Sequence, residues 1–251
     1  MDISSPLALS LLFGAAAAGA NVIGGLVVVA RREWNERFLK YFIGLGAGFM
    51  LAATFLRMLP ASLALSPAAP ALILAGYFLV QFFEHTLAPH FHFGEEHHDE
   101  AMVNPAVGVS ALLGLSIHTF FDGVSIASGF LLSVPLGLLI FFAVVLHKIP
   151  EGVTVASIAL ASGKGQRAAL SSAFVLAGAT LLGVLSMNRF AGAVAYALPL
   201  STGVTLYVAA SDLIPEVNEE RGLRMPAVVF LGVALFYVTE RVLAALTAGR
   251  A

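Results

Sequence analysis

The chain has 251 residues, of which 59% are hydrophobic and 11% charged, with a net charge of −2 and no cysteine. Its mean hydropathy is +0.92. Soluble domains carry about 25% charged residues, so this composition cannot cover a water-facing surface, and nothing in it suggests a nucleic-acid partner. The lack of cysteine excludes disulfides and thiolate ligands.

A membrane-crossing helix needs roughly 20 apolar residues, and about eight such segments follow one another. The opening stretch, MDISSPLALSLLFG, has no basic n-region of a cleaved signal peptide and is expected to begin the first span. The spans are predicted at 6–30, 41–65, 71–89, 105–131, 135–161, 168–188, 190–214 and 226–246. Pro6, Pro105, Pro135 and Pro226 stand at span starts, where a missing N–H costs nothing. The expected fold is an all-α polytopic membrane protein forming a single domain over 1–251, embedded in the lipid bilayer.

Orientation is read from Lys and Arg in short loops. The loops after spans one, five and seven hold Arg31, Arg32, Arg37, Lys40, Lys164, Arg167, Arg221 and Arg224, whereas those after spans two, four and six hold only Arg189. The first set is expected to be cytoplasmic and both termini outside, in what reads as a bacterial cytoplasmic (inner) membrane. A polar loop at about 90–103, beginning HFHFGEEHHDE, would then also face the cytoplasm. Its His90, His92, His97 and His98 suit metal chelation as well as they suit a plain flexible loop. Trp34 fits an interfacial anchor.

A weak internal repeat runs through the chain. GFMLAATFLRMLP (48–60) and GVTLYVAASDLIP (203–215) share a Gly, a charged residue nine positions later and a Pro three after that. Gly76 and Glu84 echo Gly232 and Glu240, and GAN (19–21) with Gly24 echoes GAT (178–180) with Gly183. Spans one to three thus match six to eight around a central pair, a 3+2+3 arrangement. Five spans separate equivalent helices, so the halves should be inverted, as in transporters that bind their cargo near the midplane.

The central pair carries the chemistry. HTFFDGVSIAS (118–128) and HKIPEGVTVAS (147–157) share one pattern of His, three residues, carboxylate, Gly, Val, hydroxyl residue, β-branched residue, Ala and Ser. His118 and Asp122, like His147 and Glu151, are four apart and share a helix face. At 1.5 Å per residue, His118 lies roughly 20 Å from Pro105 and His147 roughly 18 Å from Pro135, near the middle of a core roughly 30 Å thick. A charge there costs at least about 2.5–3.5 kcal/mol, so two carboxylates at that depth call for a counter-cation. Two imidazoles and two carboxylates suit zinc, iron or manganese better than calcium or magnesium. A polar helix-packing network without metal is the alternative reading. Pro150 removes a donor to the carbonyl of Leu146 and favours a kink in span five.

At these residues the chain resembles the ZIP (Zrt-, Irt-like protein) family of divalent metal transporters. The family patterns are close to HN-x-x-[DE]G in span four and H-[DE]-x-PEG in span five; here they stand as His118-Thr119-Phe120-Phe121-Asp122-Gly123 and His147-Lys148-Ile149-Pro150-Glu151-Gly152. The likeness extends to GAGFMLAATFLRMLP, to TLYVAASDLIPE and to the His-rich loop. It implies a transport site of His118, Asp122, His147 and Glu151, with Met50 as a candidate soft ligand. Bacterial relatives can hold a second adjacent metal. Three positions of that second site differ here: Thr119 for Asn, Lys148 for a carboxylate and Thr180 for Glu. An ammonium at Lys148 would neutralise a shared carboxylate much as the second ion does, so one metal per chain is expected unless Lys148 snorkels away.

Arg57, Asp212 and Glu216 are candidate gate residues. Arg57 and Asp212 occupy matching repeat positions, and an Arg in a span needs a partner. Arg57 is read as pairing with Asp212 or as guarding the outer entrance, with a purely structural ion pair as the plain alternative. Glu216 and Glu219 read as exit-lining groups or as a solvated helix end. Three functions stay open: uptake of a divalent metal, most simply zinc with iron, manganese or cadmium as alternatives; an intramembrane metal-dependent hydrolase; and a metal sensor. A zinc protease of the HExxH type needs Glu directly after its His, where this chain has Thr119 and Lys148. The repeat favours transport, with no catalytic residue, no cofactor beyond the transported metal, and a homodimer left open.

Overall fold

The computed structural model describes residues 5–30, 36–87, 105–218 and 222–248. His90, His92, His97 and His98, together with Arg31, Arg32, Trp34, Glu219 and Arg221, lie outside the described residues. Among the described residues the chain is helix joined by short turns, with no strand.

The helices are α1 (Pro6–Ala30), α2, α3 (Ala69–Leu87), α4 (Pro105–Leu132), α5 (Val134–Ala161), α6 (Gln166–Arg189), α7 and α8 (Arg224–Ala248). Two are composite. α2 runs through Glu36–Ala53, a π-helical turn at Thr54–Met58, and Leu59–Leu65. α7 runs through a 3₁₀ turn at Ala191–Ala193, Val194–Tyr207, a π turn at Val208–Leu213, and Ile214–Asn218. Each π turn is followed by a proline, Pro60 or Pro215. The missing N–H frees the carbonyl four residues back, and a widened turn is a common response at such points.

Seven of these helices are long and apolar enough to cross a membrane. The remaining one, α3, keeps 19 helical residues but ends in Gln81, Glu84, His85 and Thr86. Helix ends differ from the expected spans where polar residues continue a helix past its apolar part. α2 begins at Glu36 rather than 41, and α7 ends at Asn218 rather than 214. Hydropathy reports the membrane-crossing stretch, not the whole rod.

The centre of the bundle is the α4/α5 pair, whose apolar stretches are 67% and 72% buried, against 11% for α8. α1 packs on α5, α4 on α6, α3 on α7 and α2 on α8; α2 also touches α5, and α4 touches α7. Exchanging one with six, two with seven, three with eight and four with five maps each of these pairings onto another. The closest approaches obey the same exchange. A Cβ on Gly24 would strike the backbone of Ile149 and one on Gly152 that of Asn21, while a Cβ on Gly183 would strike Phe120 and one on Gly123 Thr180. Gly48 and Gly232 interlock α2 with α8 as Gly203 and Gly76 interlock α7 with α3. Small residues at crossings let membrane helices touch backbone to backbone.

Candidate metal centre

α4 and α5 meet at a tight link. Ser133 caps α5, its hydroxyl accepting the N–H of Leu136 at 3.3 Å, with Pro135 in the first turn. The link makes the two helices neighbours and turns the His-x-x-x-carboxylate faces toward each other. His118, Asp122, His147, Lys148 and Glu151 are all at most 2% exposed. α5 continues as a helix through Pro150.

The pairs cross between helices. His118 Nε2 lies 3.0 Å from Glu151 Oε1, and His147 Nε2 lies 3.2 Å from Asp122 Oδ2. His147 Nδ1 is 3.1 Å from the carbonyl oxygen of Ala143. That oxygen can only accept, so Nδ1 carries a proton there, and Nε2 is the atom that faces Asp122. Four ligand atoms bound about 2.0 Å from one zinc ion stand about 3.3 Å apart, close to both observed separations. Ligand atoms of His118, Asp122 and Glu151 all lie within 4.8 Å of one another; His147, the fourth expected ligand, is not part of that group and meets it only at Asp122.

Lys148 does not snorkel. Fully buried, its Nζ lies 2.7 Å from Asp122 Oδ2, 2.5 Å from Glu151 Oε2 and 3.0 Å from Thr119 Oγ1. Thr119 in turn donates to Glu151 Oε1. The ammonium therefore bridges both carboxylates, sharing Asp122 Oδ2 with His147 and taking the Glu151 oxygen that His118 does not face. Thr180 is buried, and its hydroxyl donates to Leu176 on its own helix at 3.3 Å. Met50 is fully buried in the apolar cluster that also holds Ala143, one turn before His147.

Sequence reasoning missed Asn21. It is 0% exposed, and with its amide nitrogen turned to the acceptors it donates to the Lys148 carbonyl at 2.6 Å and to Glu151 Oε2 at 3.1 Å. The available signal was the match of GAN with GAT, which sets Asn21 against the already suspected Thr180.

The expected Arg57–Asp212 pair is corrected. Arg57 pairs instead with Glu240 of α8 through both Nε and Nη2. The reason is the repeat itself, because matching positions in inverted halves stand at opposite ends of the bundle. Asp212 sits in the π turn of α7 and is buried, with Glu84 of α3 as its electrostatic neighbour. Glu84 is the repeat counterpart of Glu240. One end thus carries an Arg–Glu ion pair and the other two neighbouring carboxyl groups at equivalent positions. Glu216, four residues beyond Asp212, is also buried. Reversing either Arg57 or Glu240 is expected to lower the melting temperature by roughly 2–4 °C, the shift of about 1 kcal/mol in a chain of this size; the effect is no larger because Arg57 is half exposed. The double reversal should recover most of it, as thermal melts of Arg57→Glu, Glu240→Arg and the double variant would show.

A family model described as ZIP Zinc transporter matches residues 94–240. Among curated proteins, zinc transporter ZIP13 of Danio rerio is 34% identical over 123 residues, 47% of this chain and 35% of that protein. The ZIP13 homolog of Drosophila melanogaster is 32% identical over 142 residues, covering 52% and 40%. The zinc transporter ZupT of Escherichia fergusonii is 31% identical over 134 residues, 49% of each. The matched part of the chain spans between about a third and a half of the length of these relatives. The family match includes every α4 and α5 residue of the centre and leaves out α1, α2 and α3.

Proposed function

The chain belongs to the ZIP family of zinc transporters, and from that premise we propose that it moves a divalent transition metal across the membrane, zinc first, with iron, manganese and cadmium as chemically similar cargo. The family is one of transporters, which sets the hydrolase reading aside. The ion binds between α4 and α5, held by His118, Asp122, His147 and Glu151, with Met50 as a soft neighbour. It enters from outside and leaves toward the cytoplasm as the repeats rock about the central pair.

The observation that carries this reading is the crossed arrangement of two imidazoles and two carboxylates, 3.0 and 3.2 Å apart, at the buried centre of an apolar bundle. A divalent ion neutralises both carboxylates at a depth where bare charges are costly. Lys148 occupies the flank where Thr119 and Thr180 also depart from the family's second-site residues, so the centre holds one ion. The Arg57–Glu240 pair and the Asp212, Glu216 and Glu84 region serve as gates at opposite ends. His90, His92, His97 and His98 collect metal that leaves the pore.

Equilibrium binding to the purified chain tests the site. One zinc per chain is expected, with affinity at least about tenfold weaker at pH 5 than at pH 7. The sign follows from ligation, because an imidazole must be neutral to bind and acid protonates it. Affinity unchanged between these pH values would remove the imidazoles from the ligand set, and two ions per chain would remove the role given to Lys148.

A further inference from the structure

α1 carries none of the paired motif and lies outside the family match, yet it forms a third wall of the centre. Its position there is set by backbone contact. A Cβ on Gly152 would fall on the carbonyl oxygen of Asn21, and one on Gly24 would fall on that of Ile149. α1 and α5 therefore touch without intervening side chains at the level of Glu151, and the short Asn21 side chain reaches into the charged cluster.

The orientation of the amide is decided by its surroundings. Its two neighbours are the Lys148 carbonyl at 2.6 Å and Glu151 Oε2 at 3.1 Å. Both are acceptors, so the nitrogen faces them. Glu151 is then used unequally. Oε2 receives the Lys148 ammonium at 2.5 Å as well as the Asn21 amide, while Oε1 accepts the Thr119 hydroxyl and faces His118 Nε2 at 3.0 Å.

We propose that Asn21 is a positioning residue of the metal centre, its amide holding Glu151 so that Oε1 is the oxygen offered to the ion. The inference rests on the metal-binding reading of this site. Two fixed donors on one oxygen stop the carboxylate from turning, and a ligand held in place binds more tightly than one that must be ordered on binding.

The repeat supplies an internal comparison. The matching residue in α6 is Thr180, whose backbone meets Gly123 as that of Asn21 meets Gly152. The seat is the same, but the Thr180 hydroxyl turns to Leu176 of its own helix. Among the described residues Asp122 has no counterpart of the Asn21 amide from that side; its partners are Lys148 at 2.7 Å and His147 at 3.2 Å. Glu151 is thus the anchored carboxylate of the pair.

The test is zinc titration calorimetry on the full chain in detergent, with wild type, Asn21→Leu, Glu151→Ala and the double variant, each checked by thermal melting. Leucine keeps the branched shape of asparagine at somewhat larger volume and removes the donor; Asn21→Ala replaces it if that variant does not fold. Asn21→Leu is expected to weaken zinc binding about 10–100-fold, the usual cost of removing a group that orients a ligand. In the Glu151→Ala background the same change should leave affinity within about twofold, because the amide acts through that carboxylate. Unchanged affinity in folded Asn21→Leu, or an equal loss in both backgrounds, would overturn the proposal and leave Asn21 as a packing residue. A wild-type chain that binds no zinc would overturn the metal-centre reading and this proposal with it.

Discussion

Lys148→Met is expected to lower the melting temperature of the metal-free protein by roughly 6–20 °C. The ammonium is fully buried and lies 2.7 Å from Asp122 and 2.5 Å from Glu151. Methionine fills a similar space with no charge and leaves two carboxylates facing each other in an apolar bundle. Breaking a buried ion pair on one side costs about 3–5 kcal/mol, and each kcal/mol moves the midpoint by about 2–4 °C in a chain this long. Zinc should restore much of the loss, since an ion at 100 times its Kd adds about 2.7 kcal/mol to the native state. Lys148→Asp makes the opposite point. It replaces the ammonium with the carboxylate that the family pattern has after the span-five histidine, and is expected to raise binding from one ion per chain to two. Thermal melts with and without zinc, paired with a stoichiometric titration, check both variants. A Lys148→Met chain that melts like wild type without metal would show that Lys148 is not the counter-ion of this pair.

The central pair was legible because its signal is local. Four-residue spacing puts His118 with Asp122 and His147 with Glu151 on one helix face wherever a helix forms, and the depth of the motifs in their spans gave the reason for a cation. The π turns also left a trace, since Pro60 and Pro215 sit at matching places in the repeat. What depends on register between distant helices was not legible. Asn21 stands 130 positions before Glu151 in a run of Gly and Ala, where a lone amide reads as packing; only the backbone contact of Gly152 with Asn21 brings them together. Arg57 was matched to the wrong acid because repeat positions name equivalent places, not adjacent ones. Its partner Glu240 follows once α2 is known to pack along α8. The place of Lys148 was open in the sequence for another reason. A flexible side chain either snorkels or folds inward, and here two carboxylates on neighbouring helices hold it inside.

The largest effect expected of any substitution is the loss of metal movement when the centre loses a ligand. Glu151 offers Oε1 beside His118 Nε2 and anchors Lys148 through Oε2. Glu151→Ala removes a proposed ligand and also strands the ammonium on Asp122 alone. His147→Ala removes the imidazole whose Nδ1 is already tied to Ala143. Removing groups that merely orient a ligand costs about 10–100-fold, so each of these changes should lower flux by at least about 100-fold. The measurement is zinc flux into proteoliposomes containing wild type, Glu151→Ala or His147→Ala, with folding of each verified by its melt. Wild-type flux that both folded variants lose is the predicted result. Wild-type protein that binds zinc in stoichiometric amount but moves none, or variants that transport as well as wild type, would contradict transport through this centre.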